Sequence, residues 1–167
     1  EHALDDLPHH QALTAQGLSD HITTTFRPDD VLDPDIPDFY NNLALLGEKT
    51  RNDTGHFHSY LQALRDRRGY FRSVGATATD HGPAEPMTAD LDPGAAAKLY
   101  QRCLMGHADA GERRLFRAHM LTEMARMSLD DGMTLQIHPG SHRNHNQLLL
   151  QRFGRDKGAD IPTRVSY

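Results

Sequence analysis

The chain has 167 residues, 37% of them hydrophobic, which is room for one domain with a core of its own. Its formal net charge of -5 carries no basic excess, so nucleic acid and anionic membrane surfaces are not expected partners, and a small molecule is. The single cysteine, Cys103, excludes an intrachain disulfide, and no run of ~18 apolar residues could span a bilayer, which together point to a reducing cytoplasm.

The opening Glu1-His-Ala-Leu-Asp-Asp-Leu7 lacks a charged n-region and an apolar h-region, and its Ala3, Leu4 and Leu7 read as a helical pattern without a start. The closing Arg164-Val-Ser-Tyr167 supplies no final element. Both ends are expected to be truncated, making residues 1–167 one segment of a larger domain. A first strand is expected over 22–26, followed by a Pro- and Asp-rich connection over 27–38. Phe57, Leu61 and Leu64 give a helical apolar face after Thr54, with Arg65, Arg67 and Arg68 read as its solvated end. His9, His10, His56 and His58 read as surface residues.

A second strand is expected over 70–79, weakened by Gly75 and the neighbouring alanines. Asp92-Pro93 then places an N-cap before a proline at the first helical position, Leu99 and Cys103 lie four apart, and Gly106 is positioned to end that helix. Cys103 on this apolar face reads as a buried thiol. Asp109 with Glu112 forms a capping-box pattern. Phe116, Met120, Met124 and Met127 then recur at core spacing until Asp130-Asp131-Gly132 interrupts it. A third strand is expected over 133–137, delivering the loop His138-Pro-Gly-Ser-His-Arg-Asn-His-Asn146.

Strands alternating with helices argue for an α/β fold of about three parallel strands with helical crossovers, an arc of a (β/α) barrel or an open sheet. Polar clusters follow all three: Arg27-Pro-Asp29-Asp30, Asp80-His81-Gly82, and 138–146. A barrel builds its site from such loops. Arg27 and Arg143 are suited to holding a carboxylate by paired charge-assisted hydrogen bonds, or else form structural salt bridges. Asp80-His81 reads either as an acid/base pair or as a turn-forming aspartate beside a histidine. His138, His142 and His145 offer imidazoles for zinc or iron, without a nearby carboxylate or thiolate to complete a set. They read otherwise as a polar loop bonding backbone groups. A non-catalytic metal- or anion-binding module built on 138–146 is therefore an alternative to an enzyme.

Gly132-Met-Thr-Leu-Gln136-Ile-His138-Pro-Gly140-Ser-His-Arg143-Asn144-His-Asn146 resembles the signature of the uronate (glucuronate) isomerase family, part of the metal-dependent amidohydrolase superfamily. Phe26-Arg27-Pro28-Asp29, Asp80-His81 and Phe153-Gly-Arg-Asp-Lys-Gly158-Ala-Asp160 resemble its other motifs, in family order. His145 and Pro139 depart from the commoner asparagine and aliphatic residue. The resemblance implies a partial (β/α)8 barrel and aldose–ketose isomerisation of a hexuronate, D-glucuronate to D-fructuronate or D-galacturonate to D-tagaturonate. It further implies a catalytic His138 at a substrate oxygen, substrate contacts from Arg27 and Arg143, and supporting roles for Asp80, His81, Asn144 and Asn146. A divalent metal, zinc being the expected ion, belongs to the complete parent, whose His-x-His pair and late aspartate lie outside this segment. The segment alone is expected to be inactive and the parent a homo-oligomer.

Overall fold

The computed structural model describes residues 1–19, 21–155 and 157–165, so Asp156 of the Gly/Asp-rich loop and the terminal Ser166 and Tyr167 lie outside the described residues. Ala3 and Leu7 are buried as core residues, yet they are not helical. A proline disfavours the right-handed helical region for the residue before it, and Leu7 takes φ 54 before Pro8. The helix α1 (Pro8–Ala15) therefore starts at the proline and buries none of its own residues. The segment ahead of it instead bridges to the chain after β1 (Thr25–Phe26), where Ala3 N–H donates to Arg27 O at 2.8 Å and Arg27 N–H to Glu1 O at 3.0 Å.

The Pro- and Asp-rich connection contains one helical turn, α2 (Asp29–Leu32), and leads to α3 (Phe39–Thr50) and α4 (Phe57–Ser73). The expected strand over 70–79 is overturned for its first half, because residues 70–73 are the last turn of α4, and the strand β2 is Ala78–His81. Phe71 continues the apolar face of Leu61 and Leu64, and it meets Phe26 edge-on at 5.1 Å under the sheet. Burial on that face outweighs the β propensity of Tyr70 and Phe71. The first strand is likewise shorter than expected, only Thr25 and Phe26 entering the ladder.

Arg67 and Arg68 are buried, which corrects their reading as a solvated end. They share the inward face of α4 and are held there by partners from distant parts of the chain, although Arg68 Nη1 is buried without a hydrogen-bond partner among the described residues. Arg67 donates to the carbonyls of Ala3 and Asp5 at 2.8 and 2.6 Å, tying down the start of the chain. Arg68 makes a two-pronged pair with Asp131 at 2.6 and 2.9 Å and reaches Ser128 Oγ at 3.0 Å.

Two helices punctuated by their own sequence follow. The side chain of Asp92 accepts from the N–H groups of Gly94 and Ala95 to start α5 (Pro93–Leu104). The Asp109–Glu112 box starts α6 (Ala110–Asp131), which Gly132 ends at φ 76, where a side chain would be strained. Phe116, Met120, Met124 and Met127 are buried as their spacing predicts. Tyr60 stacks on Tyr100 at 4.8 Å, and burial pushes the Cys103 thiol up to about 12, so it packs as an inert group.

The strand β3 (Thr134–Ile137) completes a parallel sheet in the order β1-β2-β3, with Phe26, Thr79 and Leu135 in register across it. Beyond it β4 (Ser141–His142) pairs antiparallel with β5 (Ile161–Pro162) across α7 (Gln147–Phe153). Among the described residues no helix is long and apolar enough to cross a membrane.

Candidate functional site

Parallel strands in register finish at one level, so the residues after β1, β2 and β3 reach a common edge. His138 N–H donates to His81 O at 2.8 Å, extending the β2–β3 ladder one step beyond the strand. A cavity of about 590 Å³ opens at this edge, lined by Arg27, Asp29, His81, Gly82, Ser141 and Arg143 among others. The three polar clusters expected from the sequence thus converge.

Arg27 is held between two carboxylates. Its Nε donates to Asp29 Oδ2 at 3.1 Å, and its Nη1 lies 3.6 Å from Asp80 Oδ2. Asp80 Oδ1 in turn takes His138 Nε2 at 2.8 Å. A carboxylate accepts, so this bond places the ring proton on Nε2 and leaves Nδ1 as the other ring nitrogen. Asp29 also accepts the Gly82 N–H at 3.2 and 3.1 Å. Burial raises the Asp29 pKa above the ordinary carboxylate value, although the Arg27 charge and the Gly82 N–H oppose the rise. Gly82 is where these parts meet. A Cβ there would stand 2.9 Å from His138 Cε1 and 3.1 Å from Arg27 Nη2, so any larger residue would push those side chains back.

Asp80 and His81 do not form the pair that their adjacency suggested, nor is Asp80 in a turn. Both lie in β2, where neighbouring side chains point to opposite faces. Asp80 faces Arg27 and His138, while His81 Nε2 bonds Thr79 Oγ1 at 2.9 Å, two residues back on its own face. Burial, aided by the nearby Arg68 charge, lowers the His81 pKa to about 4, so it is neutral at pH 7.

The loop 138–146 holds its residues by varied means. Arg143 Nη1 pairs with Asp160 Oδ2 at 3.2 Å, and the Asn144 N–H donates to Asp160 Oδ1 at 2.9 Å. The arginine therefore lines the cavity and forms a structural ion pair at once. Asn144 takes φ 53, a conformation asparagine tolerates, and Asn146 caps α7 by accepting the Leu149 N–H at 3.1 Å. The histidines do not gather. His138 is bonded to Asp80 and His145 Nδ1 to Ala159 O at 2.6 Å, while the His142 ring lies 6.5 Å from that of His145. Among the described residues no three His, Cys, Asp or Glu side chains are arranged to hold a metal ion. The alternative of a metal-binding module built on His138, His142 and His145 finds no geometric support among the described residues.

Arg27, His81 and Arg143 line the cavity; His138, Asp80, Asn144 and Asn146 stand outside its lining. His2, Arg117 and Arg155 also reach it, although the sequence did not single them out as site residues. His2 arrives through the bridge to Arg27 and bonds Asp30 at 2.7 Å, which raises its pKa. Arg117 comes from the outer turns of α6, and Arg155 from the Gly/Asp-rich loop. Only Arg155 carried a signal, its place in a motif already singled out.

The profile of the glucuronate isomerase family matches residues 1–165. The uronate isomerase of Rhizorhabdus wittichii is 55% identical over all 167 residues, which make up 36% of that protein. That of Rhizobium meliloti is 54% identical over 165 residues, covering 99% of this chain and 35% of the relative. The chain thus spans about a third of the length of the curated relatives it matches. A crystal structure of glucuronate isomerase from Caulobacter crescentus superposes with a TM-score of 0.93 at 46% identity, covering 100% of this chain and 35% of that one. A uronate isomerase structure from Thermotoga maritima, 24% identical with a TM-score of 0.90 over 99% of this chain and 37% of its own, shares the fold.

Proposed function

The chain belongs to the glucuronate isomerase family, and on that premise we propose that it is part of a larger (β/α)-barrel domain that interconverts aldose and ketose hexuronates. The substrates are D-glucuronate, giving D-fructuronate, and D-galacturonate, giving D-tagaturonate. The observation that carries this reading is the meeting of Arg27, His81 and Arg143 around one cavity at the carboxyl ends of three parallel strands.

Aldose–ketose isomerisation moves a proton between C2 and C1 through an enediol, so the site must hold the sugar still and stabilise charge developing on its oxygens. In this reading Arg27 and Arg143 donate to the carboxylate or hydroxyl oxygens of the substrate. His138, beside the cavity but outside its lining and held in its tautomer by Asp80, is the group assigned to a substrate oxygen. His81, neutral and bonded to Thr79, shapes the wall. The family's divalent metal, for which zinc is the expected ion, would act as a Lewis acid in the complete protein. The residues described here do not supply a ligand set for it.

The test uses the complete protein and reads kcat/KM for D-glucuronate. Arg27→Ala and Arg143→Ala should each lower it ~100-fold or more, the scale of losing a charged donor to the transition state. Unchanged kcat/KM in both would overturn the site assignment. The isolated 167-residue chain should show no turnover, and turnover by it would overturn its place as one part of the catalytic domain.

A further inference from the structure

Two carboxylates stand by the Arg27 guanidinium, and they act on it differently. Asp80 Oδ2 lies 3.6 Å from Nη1, within ion-pair range but beyond hydrogen-bond distance. Asp29 Oδ2 accepts from Nε at 3.1 Å. Coulomb attraction to either carboxylate steadies the charge without choosing an angle for it. The hydrogen bond chooses the angle, because the guanidinium is planar and a bond at Nε, on its inner edge, fixes the plane in which the two terminal nitrogens lie.

Asp29 can set a direction because it is itself held. Its two oxygens accept the Gly82 N–H at 3.2 and 3.1 Å, from the chain after β2, 53 residues away. Gly82 permits the approach, since a Cβ there would stand 3.3 Å from Asp29 Oδ2 as well as against Arg27 and His138. The carboxylate thus ties the loop after β1 to the chain after β2 and passes that second anchor on to Arg27. Its side chain is only 21% exposed, and burial raises its pKa against the opposing Arg27 charge, so a charged group is kept here at a cost. A neutral side chain of similar volume would serve the scaffold about as well. What the carboxylate adds is its hold on Nε.

We infer that Asp29 is a positioning residue: it acts on the reaction through Arg27, holding the guanidinium plane so that the terminal donors meet the cavity at one angle, a role that rests on the hexuronate reading above. Asp80 cannot take this role over. It is bonded to His138 Nε2 at 2.8 Å and stands out of hydrogen-bond reach of Arg27.

The test is a double-mutant cycle in the complete protein, reading kcat/KM for D-glucuronate. Asp29→Ala should lower it about tenfold or more, the scale of losing one hydrogen bond to a charged group. Asp29→Asn, whose amide oxygen can still accept from Nε, should recover part of that loss. With Arg27→Ala already made, adding Asp29→Ala should cost no more than about twofold, because a residue that acts only through Arg27 has nothing left to position. A double variant in which the two losses multiply would overturn the proposal, as would an Asp29→Ala protein that keeps wild-type kcat/KM or does not fold. So would an Asp29→Asn protein as impaired as Asp29→Ala. A wild type that does not turn over D-glucuronate would sink the hexuronate reading instead. A crystal structure of the complete Asp29→Ala variant then still decides the positioning role: the Arg27 guanidinium should leave its wild-type plane, and an unmoved one would overturn it.

Discussion

In the helical layer, side chains hold one another: Tyr60 stacks on Tyr100, Phe116 packs against the same ring at 5.8 Å, and Met120 and Met124 fill the space behind with no exposure. In the loops after β3, α7 buries none of its residues, Leu148 and Phe153 are exposed, and order comes from hydrogen bonds to Asp160, Ala159 and Gly140. The first region can be damaged only by unpacking it. Within this chain the second rests on hydrogen bonds rather than on packing.

The largest effect should come from opening the packed layer. Phe116→Ala removes a fully buried ring and should cost ~3–5 kcal/mol in urea unfolding. A loss below ~1 kcal/mol would mean that the layer collapses around the gap, and the contrast with the loops would fail. Next comes His81, which stands in the scaffold at the edge of the cavity, its ring bonded to Thr79. Unfolded, it takes up a proton below its ordinary value of 6.5; folded, it does so only near 4. Between those values the unfolded state binds more protons, so the stability contributed above pH 6.5 is lost as pH falls toward 4, by up to roughly 3 kcal/mol. Comparing wild type with His81→Gln at pH 7 and pH 5 should show the smaller acid loss in the variant; equal losses would place the proton uptake elsewhere. The smallest effect belongs to the loop. Asp160→Ala breaks a half-exposed ion pair and should change unfolding stability by less than ~1 kcal/mol. A larger loss would show the loop to be part of the cooperative core.

Much of the helical layer was legible because its signals are local. Asp92 meets Gly94 and Ala95, and Asp109 meets Glu112, within three residues, and a four-residue methionine spacing needs no partner to declare a buried face. The same local logic misled at residues 70–73, where an aromatic pair suited to a strand finished a helix because Phe26 waited beneath it. It failed again at Arg67 and Arg68, whose partners Ala3 and Asp131 lie more than sixty residues away in either direction. In the candidate site, Arg27 and Arg143 stood out as guanidinium groups at strand ends. Asp80 did not reveal its bond to His138, because a strand turns adjacent side chains apart and hands each to a different neighbour.

By itself the sequence determined where α5 and α6 begin and end, that the face carrying Phe116, Met120, Met124 and Met127 is buried, that three strands alternate with helices, and that each strand delivers polar residues. Those properties depend on backbone geometry over a few positions. Tertiary structure alone decided which charges neutralise one another. Arg117 meets Asp33 across 84 residues and His2 meets Asp30 through a bridge, and Arg155 comes to the same cavity as Arg27. Electrostatic compensation depends on distance through space, and in a barrel that distance is set by which strands pair and which loops fold over their ends.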